Sequence, residues 1–217
     1  MLPAREITIR PLTEADAAAV SALHQDVLDG EFIARCGSGF RRCYHRAWAD
    51  SADAIALVAQ GSGGQMIGVL LGAVNPATHY RTMLRRHGLA LGFWLLVGAV
   101  TDPRFALELL ATRLVRYARG VLRILVLRQP GQAGGAAGEV THLMVRREAQ
   151  REGAGTALLE AARNLGQQAG LDELMLVTSL DGGGAQRFYE HLGWEPTGEC
   201  VSRSGEKFLG YRLRLNA

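Results

Sequence analysis

The sequence predicts a single α/β domain, and three observations carry that reading. Short apolar segments rich in β-formers recur at both ends of the chain, stretches with helical spacing separate them, and glycine clusters mark the turns between. No internal repeat is visible. A chain of 217 residues, 48% of them hydrophobic, can bury a full core, so the expectation is one domain over residues 1–217 with an insertion at about 75–137.

Taken in order, Glu6 to Arg10 alternates polar and apolar side chains as a half-buried strand does, and Pro11 ends it. Thr13 stands three residues before Asp16 as in a capping box, and Val20, Leu23, His24, Val27 and Leu28 follow at helical spacing up to Gly30. A second helical stretch covers about Phe32 to Trp48. Ala54 to Gln60 and Met66 to Val74 flank Gly61-Ser62-Gly63-Gly64 and predict a hairpin. Asn75-Pro76 breaks the pattern. The insertion then reads as a short basic helix from Thr78 to His87, an apolar stretch from Leu89 to Val100, and an amphipathic helix starting at Asp102-Pro103. That last helix carries Leu107, Leu110, Leu114, Tyr117 and Val121 on one stripe and Arg113, Arg116, Arg119 and Arg123 on the other. Gln129 to Gly138 is a glycine-rich connector. Regular structure returns with a strand at Glu139 to Val145, a helix at Gly155 to Ala169, a strand at Glu173 to Val177 and a helix at Ala185 to His191 ended by Gly193. Two closing strands, Trp194 to Cys200 and Phe208 to Leu215, flank a turn at Ser204-Gly205.

Composition narrows the function. Between Asn75 and Ala137 nine arginines face only Asp102 and Glu108, so this segment carries +7 while the whole chain carries +3. The longest apolar run, Leu89 to Val100, is shorter than the roughly 18 to 20 residues of a spanning helix, and no signal peptide is recognisable, so a cytoplasmic protein is expected. Cys36, Cys43 and Cys200 read as buried free thiols. His24, His45, His79, His87 and His191 show no paired ligand spacing, and no metal is expected. Tyr44, Trp48, Tyr80 and Trp94 read as core or pocket wall rather than as a stacking platform, and no nucleic acid is expected.

The segment Gln150-Arg151-Glu152-Gly153-Ala154-Gly155 sits between a predicted strand and a predicted helix. Glycines there let several backbone N–H groups converge on an anion, and the helix N-terminus adds its positive end. Val145 followed by Gln150-x-x-Gly153-x-Gly155, and then Ala185-Gln186-Arg187-Phe188-Tyr189-Glu190-His191-Leu192-Gly193-Trp194, resemble the cofactor-binding motif and the "FYE-x-LGF" segment of the GCN5-related N-acetyltransferases (GNAT). The resemblance covers about 155 residues and implies the GNAT fold, a mixed and mostly antiparallel sheet flanked by helices, here with a largely helical insertion between the third and fourth strands.

The resemblance also implies acetyl-CoA as co-substrate. Leu143, Met144 and Val145 would pair with its pantetheine arm where the fourth and fifth strands splay. Arg151, Gly153, Ala154, Gly155 and Thr156 would hold the pyrophosphate through main-chain N–H groups, Gln150 would support the loop, and Phe188 would lie beside the cofactor. Gly182 stands where many members place an asparagine, with Asp181 as a substitute contact. Tyr189 matches the family tyrosine that protonates the departing sulfur, and Glu139, eleven residues before Gln150, matches a general-base glutamate of some histone-acetylating members. His142 is the rival base, since an imidazole suits neutral pH. Strict strand alternation puts it on the opposite face from Glu139.

The expected reaction is direct transfer of an acetyl group to a primary amine, without a covalent enzyme intermediate, on a small molecule such as an amino sugar, amino acid or antibiotic-like amine. Protein N-terminal or lysine acetylation, transfer of a longer acyl chain, and a non-catalytic acyl-CoA sensor are the alternatives. The insertion is expected to shape the acceptor site, with Arg81, Arg85 or Arg86 pairing an anionic group, or to rest on an anionic membrane surface. A homodimer is left open.

Overall fold

The computed structural model describes residues 7–109, 136–180, 183–201 and 207–216. The strands are β1 (Thr8–Pro11), β2 (Ala54–Gln60), β3 (Met66–Ala73), β4 (Ala137–Val145), β5 (Glu173–Ser179), β6 (Glu195–Val201) and β7 (Lys207–Arg214). The helices are α1 (Ala17–Val27), α2 (Phe32–Arg35), α3 (Gly37–Ala49), α4 (Pro76–Thr101), α5 (Pro103–Glu108), α6 (Ala154–Gln168) and α7 (Gly183–His191). The seven strands form one sheet in the order β1-β2-β3-β4-β5-β7-β6. Only β4 and β5 run parallel; the other neighbours are antiparallel.

Each face of the sheet is covered by its own apolar layer. On one side α6 brings Leu158, Leu159 and Ala162 against Leu57, Leu70, Val140 and Leu174. On the other, α1, α3 and α4 bring Val20, Leu23, Trp48 and Met83 against Val58, Val69, Leu71 and Met144. The helical face is pinned to β1 by Asp16, whose carboxylate accepts from Thr13 N (2.9 Å), Thr13 Oγ1 (2.7 Å) and Arg10 (2.7 Å). These bonds hold the Asp16 carboxyl well below the usual carboxylate range, with the Arg10 hydrogen bond the largest cause.

Two helical expectations are corrected. The stretch from Phe32 to Trp48 divides into α2 and α3 at Cys36, and Arg41 of α3 reaches back to the carbonyls of Ala34 and Ser21 across the break. Thr78 to His87 and Leu89 to Val100 are one continuous helix of 26 residues, about 39 Å long at 1.5 Å per residue. Asn75 caps it by accepting from Thr78 N (3.1 Å), and Pro76 fills its first position. His79, Met83 and Leu91 are buried, with Tyr80, Trp94, Leu95 and Ala99 packed beside that layer, so the inward stripe keeps its helical period through Gly88 and Gly92. The outer face leaves Leu89, Phe93, Leu96 and Val100 exposed. No helix among the described residues is long and apolar enough to cross a membrane.

Cys36 is buried and Cys43 half-buried, but Cys200 is exposed, because it sits on β6, the edge strand, which is exposed along its length. The predicted basic amphipathic helix beyond Leu109, the connector up to Gly135, Asp181, Gly182 and the Ser204-Gly205 turn lie outside the described residues.

Candidate active site

The sheet opens where β4 and β5 part. They pair only through Ala137–Val140 and Glu173–Leu176, after which β5 continues against β7 and β4 against β3. From Thr141 to Val145 the β5-facing edge of β4 therefore has no partner strand among the described residues. Such an edge is a template for an extended ligand. The resulting cleft holds about 750 Å³, within the range of small-ligand sites. Thr141, His142 and Leu143 form one wall and residues 176–179 the other; Tyr189, Phe208 and residues 27–33 also line it.

A bulge sets which side chains of β4 look toward the helices. Leu71 pairs with His142 but Gly72 pairs with Val140, so one step on β3 spans two on β4, and Thr141 is the extra residue. Gly72 permits this, since a Cβ there would run into the Glu139 carbonyl. The bulge resets the alternation. Val140 packs into the α6 layer, while Glu139 and His142 both face the α1–α4 side: Tyr80 OH donates to Glu139 Oε1 at 2.5 Å, and Tyr44 OH lies 3.1 Å from His142 Nε2. The expectation that Glu139 and His142 lie on opposite faces is thereby overturned. Thr141 Oγ1 also donates to Glu139 Oε1 (3.2 Å), which links the glutamate to the cleft wall.

The β4–α6 loop is built as a cradle. Gln150 Nε2 donates to Val145 O (3.3 Å), tying the loop to the strand end. Arg151 and Gly153 hold positive φ, 65° and 94°, a conformation that costs glycine little and arginine more. α6 then starts at Ala154, and the N–H groups of its first turn, which include Ala154, Gly155 and Thr156, have no carbonyl within the helix to bond. The second motif glycine has a different purpose. A Cβ on Gly155 would stand 3.1 Å from Phe188 Cζ, so its lack of a side chain lets α7 close on α6. Leu143 lines the cleft, Met144 is fully buried toward the helical layer, and Val145 packs on the α6 side.

Tyr189 of α7 is half-buried on the cleft, with its ring near Phe188, Tyr211 and Trp194 at centroid distances of 5.4, 5.8 and 6.0 Å. Burial pushes its phenol up to about 12. Burial also raises Tyr44 and Tyr80, with the negative charge of Glu139 adding to the latter. His142 is pushed down to about 4, chiefly by burial; Glu31 opposes that shift and His24 adds to it. His45 is lowered to about 2 by burial, then by His24, His142 and Arg41.

Beside this wall stands a cluster that the sequence did not reveal. Glu31 Oε2 lies 3.6 Å from His24 Nε2 and 3.6 Å from His142 Nδ1. Burial works to raise the Glu31 pKa, but His24 and His142 together outweigh it and leave it lowered. His24 and His45 are fully buried, their rings 5.2 Å apart, and neither ring nitrogen of either residue has a hydrogen-bond partner among the described residues. Helical spacing correctly placed His24 on the inward stripe of α1, but nothing in it could join a position in α1 to Glu31 and His142. Arg81, Arg85 and Arg86 do not line the cleft; α4 instead contributes Tyr80, through Glu139.

The family model described as "Acetyltransferase (GNAT) family" matches residues 26–194. No curated protein sequence matches the chain significantly. Among solved structures, a spermidine N-acetyltransferase SpeG chimera from Vibrio cholerae and hSSAT is similar, with a TM-score of 0.61 at 12% identity over 96% of this chain and 95% of the other. An alanine N-acetyltransferase of a ribosomal protein from Escherichia coli gives 0.58 at 13% identity over 98% and 96%. The protein yncA from Salmonella typhimurium, solved with its cofactor acetyl-CoA, gives 0.57 at 14% identity over 97% and 94%. These likenesses establish the fold.

Proposed function

We propose that this chain, which belongs to the GNAT acetyltransferase family and is an N-acetyltransferase using acetyl-CoA, acetylates a primary amine of a small molecule held in the cleft between β4 and β5. The observation that supports the reading is the parting of β4 and β5 beside Tyr189, with Glu139 tied by hydrogen bond to Thr141 of the cleft wall. The small-molecule reading is supported by the size of the cleft, about 750 Å³, which lies within the range of small-ligand sites.

The residues present fit acetyl-CoA. The unpaired edge of β4 can take the amides of the pantetheine arm, and the Arg151–Gly153 turn with the first turn of α6 offers N–H groups and a positive dipole end to phosphate oxygens. When bound, acetyl-CoA supplies an activated acetyl thioester. An ammonium has no lone pair, so the acceptor must lose a proton before it attacks. Glu139 accepts that proton through water at the Thr141 wall, while Tyr80 holds its Oε1 in place. Tyr189, kept protonated by burial, donates a hydrogen bond toward the departing sulfur. Its raised pKa makes complete transfer to an ordinary thiolate uphill, so its contribution is to the charge that builds on sulfur in the transition state.

The test is thiol release from acetyl-CoA and from longer acyl-CoAs against a panel of amino sugars, amino acids, polyamines and peptides with free N-termini. Turnover of a small amine by wild type, and its loss in Glu139→Gln and Tyr189→Phe, is the expected result. Turnover confined to peptides would remove the small-molecule reading, and a preference for long acyl chains would remove acetyl as the transferred group.

A further inference from the structure

We propose that His24, Glu31 and His142 form a binding site for a divalent cation of the zinc class, with a fourth coordination position open to the cleft. The proposal goes beyond the acetyl-transfer reading and does not depend on it.

The geometry is that of ligands awaiting an ion. One donor atom from each residue lies within 4.8 Å of the others. Glu31 Oε2 stands 3.6 Å from His24 Nε2 and from His142 Nδ1, too far for a hydrogen bond. It is close to the donor–donor separation of about 3.3 Å that bonds of about 2.0–2.1 Å impose on a tetrahedral ion. A shift of a few tenths of an ångström would bring Glu31 to that separation from each histidine.

The surroundings point the same way. His24 has no exposed surface, and neither ring nitrogen has a hydrogen-bond partner among the described residues. Buried polar atoms are rarely left so, and a metal bond to Nε2 would satisfy one of them. His142 already has the outer-shell contact that histidine ligands use: its Nε2 lies 3.1 Å from Tyr44 OH, which holds the ring and leaves Nδ1 for the ion. When Nε2 carries the hydrogen, the Nδ1 lone pair faces the Glu31 carboxylate, and two acceptors at 3.6 Å call for a cation between them.

Two imidazoles and one carboxylate are a donor set that zinc accepts, with water or a substrate oxygen in the fourth place. The three residues come from α1, the α1–α2 connection and β4, so the ion would clamp that connection onto the bulged strand. Glu31 and His142 line the cleft, which leaves the open position facing the acceptor. A hydroxyl or carboxylate on the acceptor could complete the coordination.

The test uses the tag-free full chain, stripped with a chelator and titrated with Co²⁺ or Zn²⁺ without acetyl-CoA. The expected result is saturation at one ion per chain, with the intense visible absorption of four-coordinate Co²⁺, its displacement by Zn²⁺, and a rise in Tm with Zn²⁺. Glu31→Gln, at a half-exposed side chain, should leave the far-UV spectrum unchanged. It should weaken binding by more than the roughly 10- to 100-fold typical of losing an outer-shell partner, whereas Tyr44→Phe should fall within that range. No saturable binding overturns the proposal. Binding that survives Glu31→Gln unchanged also overturns it, because the ion then sits elsewhere, for example at exposed Cys200.

Discussion

The β4–α6 loop and the α1–α4 side of β4 are built from different material. The first is one continuous stretch, from Val145 through Gln150 and Gly153 to Gly155, and it offers main-chain N–H groups at a helix start. The second is assembled from side chains far apart in sequence: Tyr44 on His142, Tyr80 on Glu139, and His24 with Glu31. A ligand held by backbone needs glycines and a turn, and these tolerate almost any neighbour. A ligand held by side chains needs particular residues whose positions depend on how helices pack.

The sharpest way to break this contrast is at Gly155. A Glu there would push against Phe188 and bring a negative charge to the phosphate cradle. Acetyl-CoA binding measured by calorimetry should fall more than about 100-fold, while Gly155→Ala, which asks Phe188 to move only a few tenths of an ångström, should lose far less. Equal losses would mean that packing and not the cradle sets affinity.

Tyr189→Phe comes next. It should lower kcat roughly 10- to 100-fold with KM for acetyl-CoA little changed, since it removes a hydrogen bond made to the departing sulfur. A rise in KM at constant kcat would make Tyr189 part of the binding wall instead. On the other side, Tyr80→Phe should cost kcat/KM several-fold, about 1 kcal/mol for one hydrogen bond to a charged group. Glu139→Gln in the same background should add its loss less than additively, because the two residues act as one unit.

The helical side also carries a titration that the backbone side lacks. His79 is fully buried, Nδ1 2.8 Å from Ser51 Oγ and its ring stacked on Trp48, and burial lowers its pKa to about 4. The unfolded chain binds this proton below about 6.5 and the folded chain does not, so its stabilisation is present above about pH 6.5 and is lost as pH falls toward about 4. Urea unfolding should show a loss of about 2 kcal/mol from this site between pH 7 and pH 5, and His79→Gln should flatten that part of the profile. The smallest effect belongs to the outer face of α4: Leu89, 94% exposed, should accept Ser with a change within about 0.5 kcal/mol. A larger loss would mean that something in the chain rests on it.

Much of this protein is local and was therefore readable. Strand and helix identities follow from periodicity, the hairpin from four residues at 61–64, and the turn between β4 and α6 from its glycines, because each depends on neighbours within a few positions. The same locality explains the errors. Thr78 to His87 and Leu89 to Val100 read as two pieces, yet burial of His79, Met83 and Leu91 along one stripe carries α4 through both. Alternation separated Glu139 from His142, and only the register of β4 against β3, set by Gly72 and Thr141, brings them to one face.

What the sequence by itself determined is thus the order of the elements and the glycine turn that joins β4 to α6. Its information lies in conformational preferences expressed residue by residue. Tertiary structure alone decided the side-chain clusters on the helical side. The meeting of His24, Glu31 and His142, and of Tyr80 with Glu139, depends on where α1 and α4 settle on the sheet. That is fixed by packing across the helical layer, a property of many residues at once that no spacing along the chain encodes.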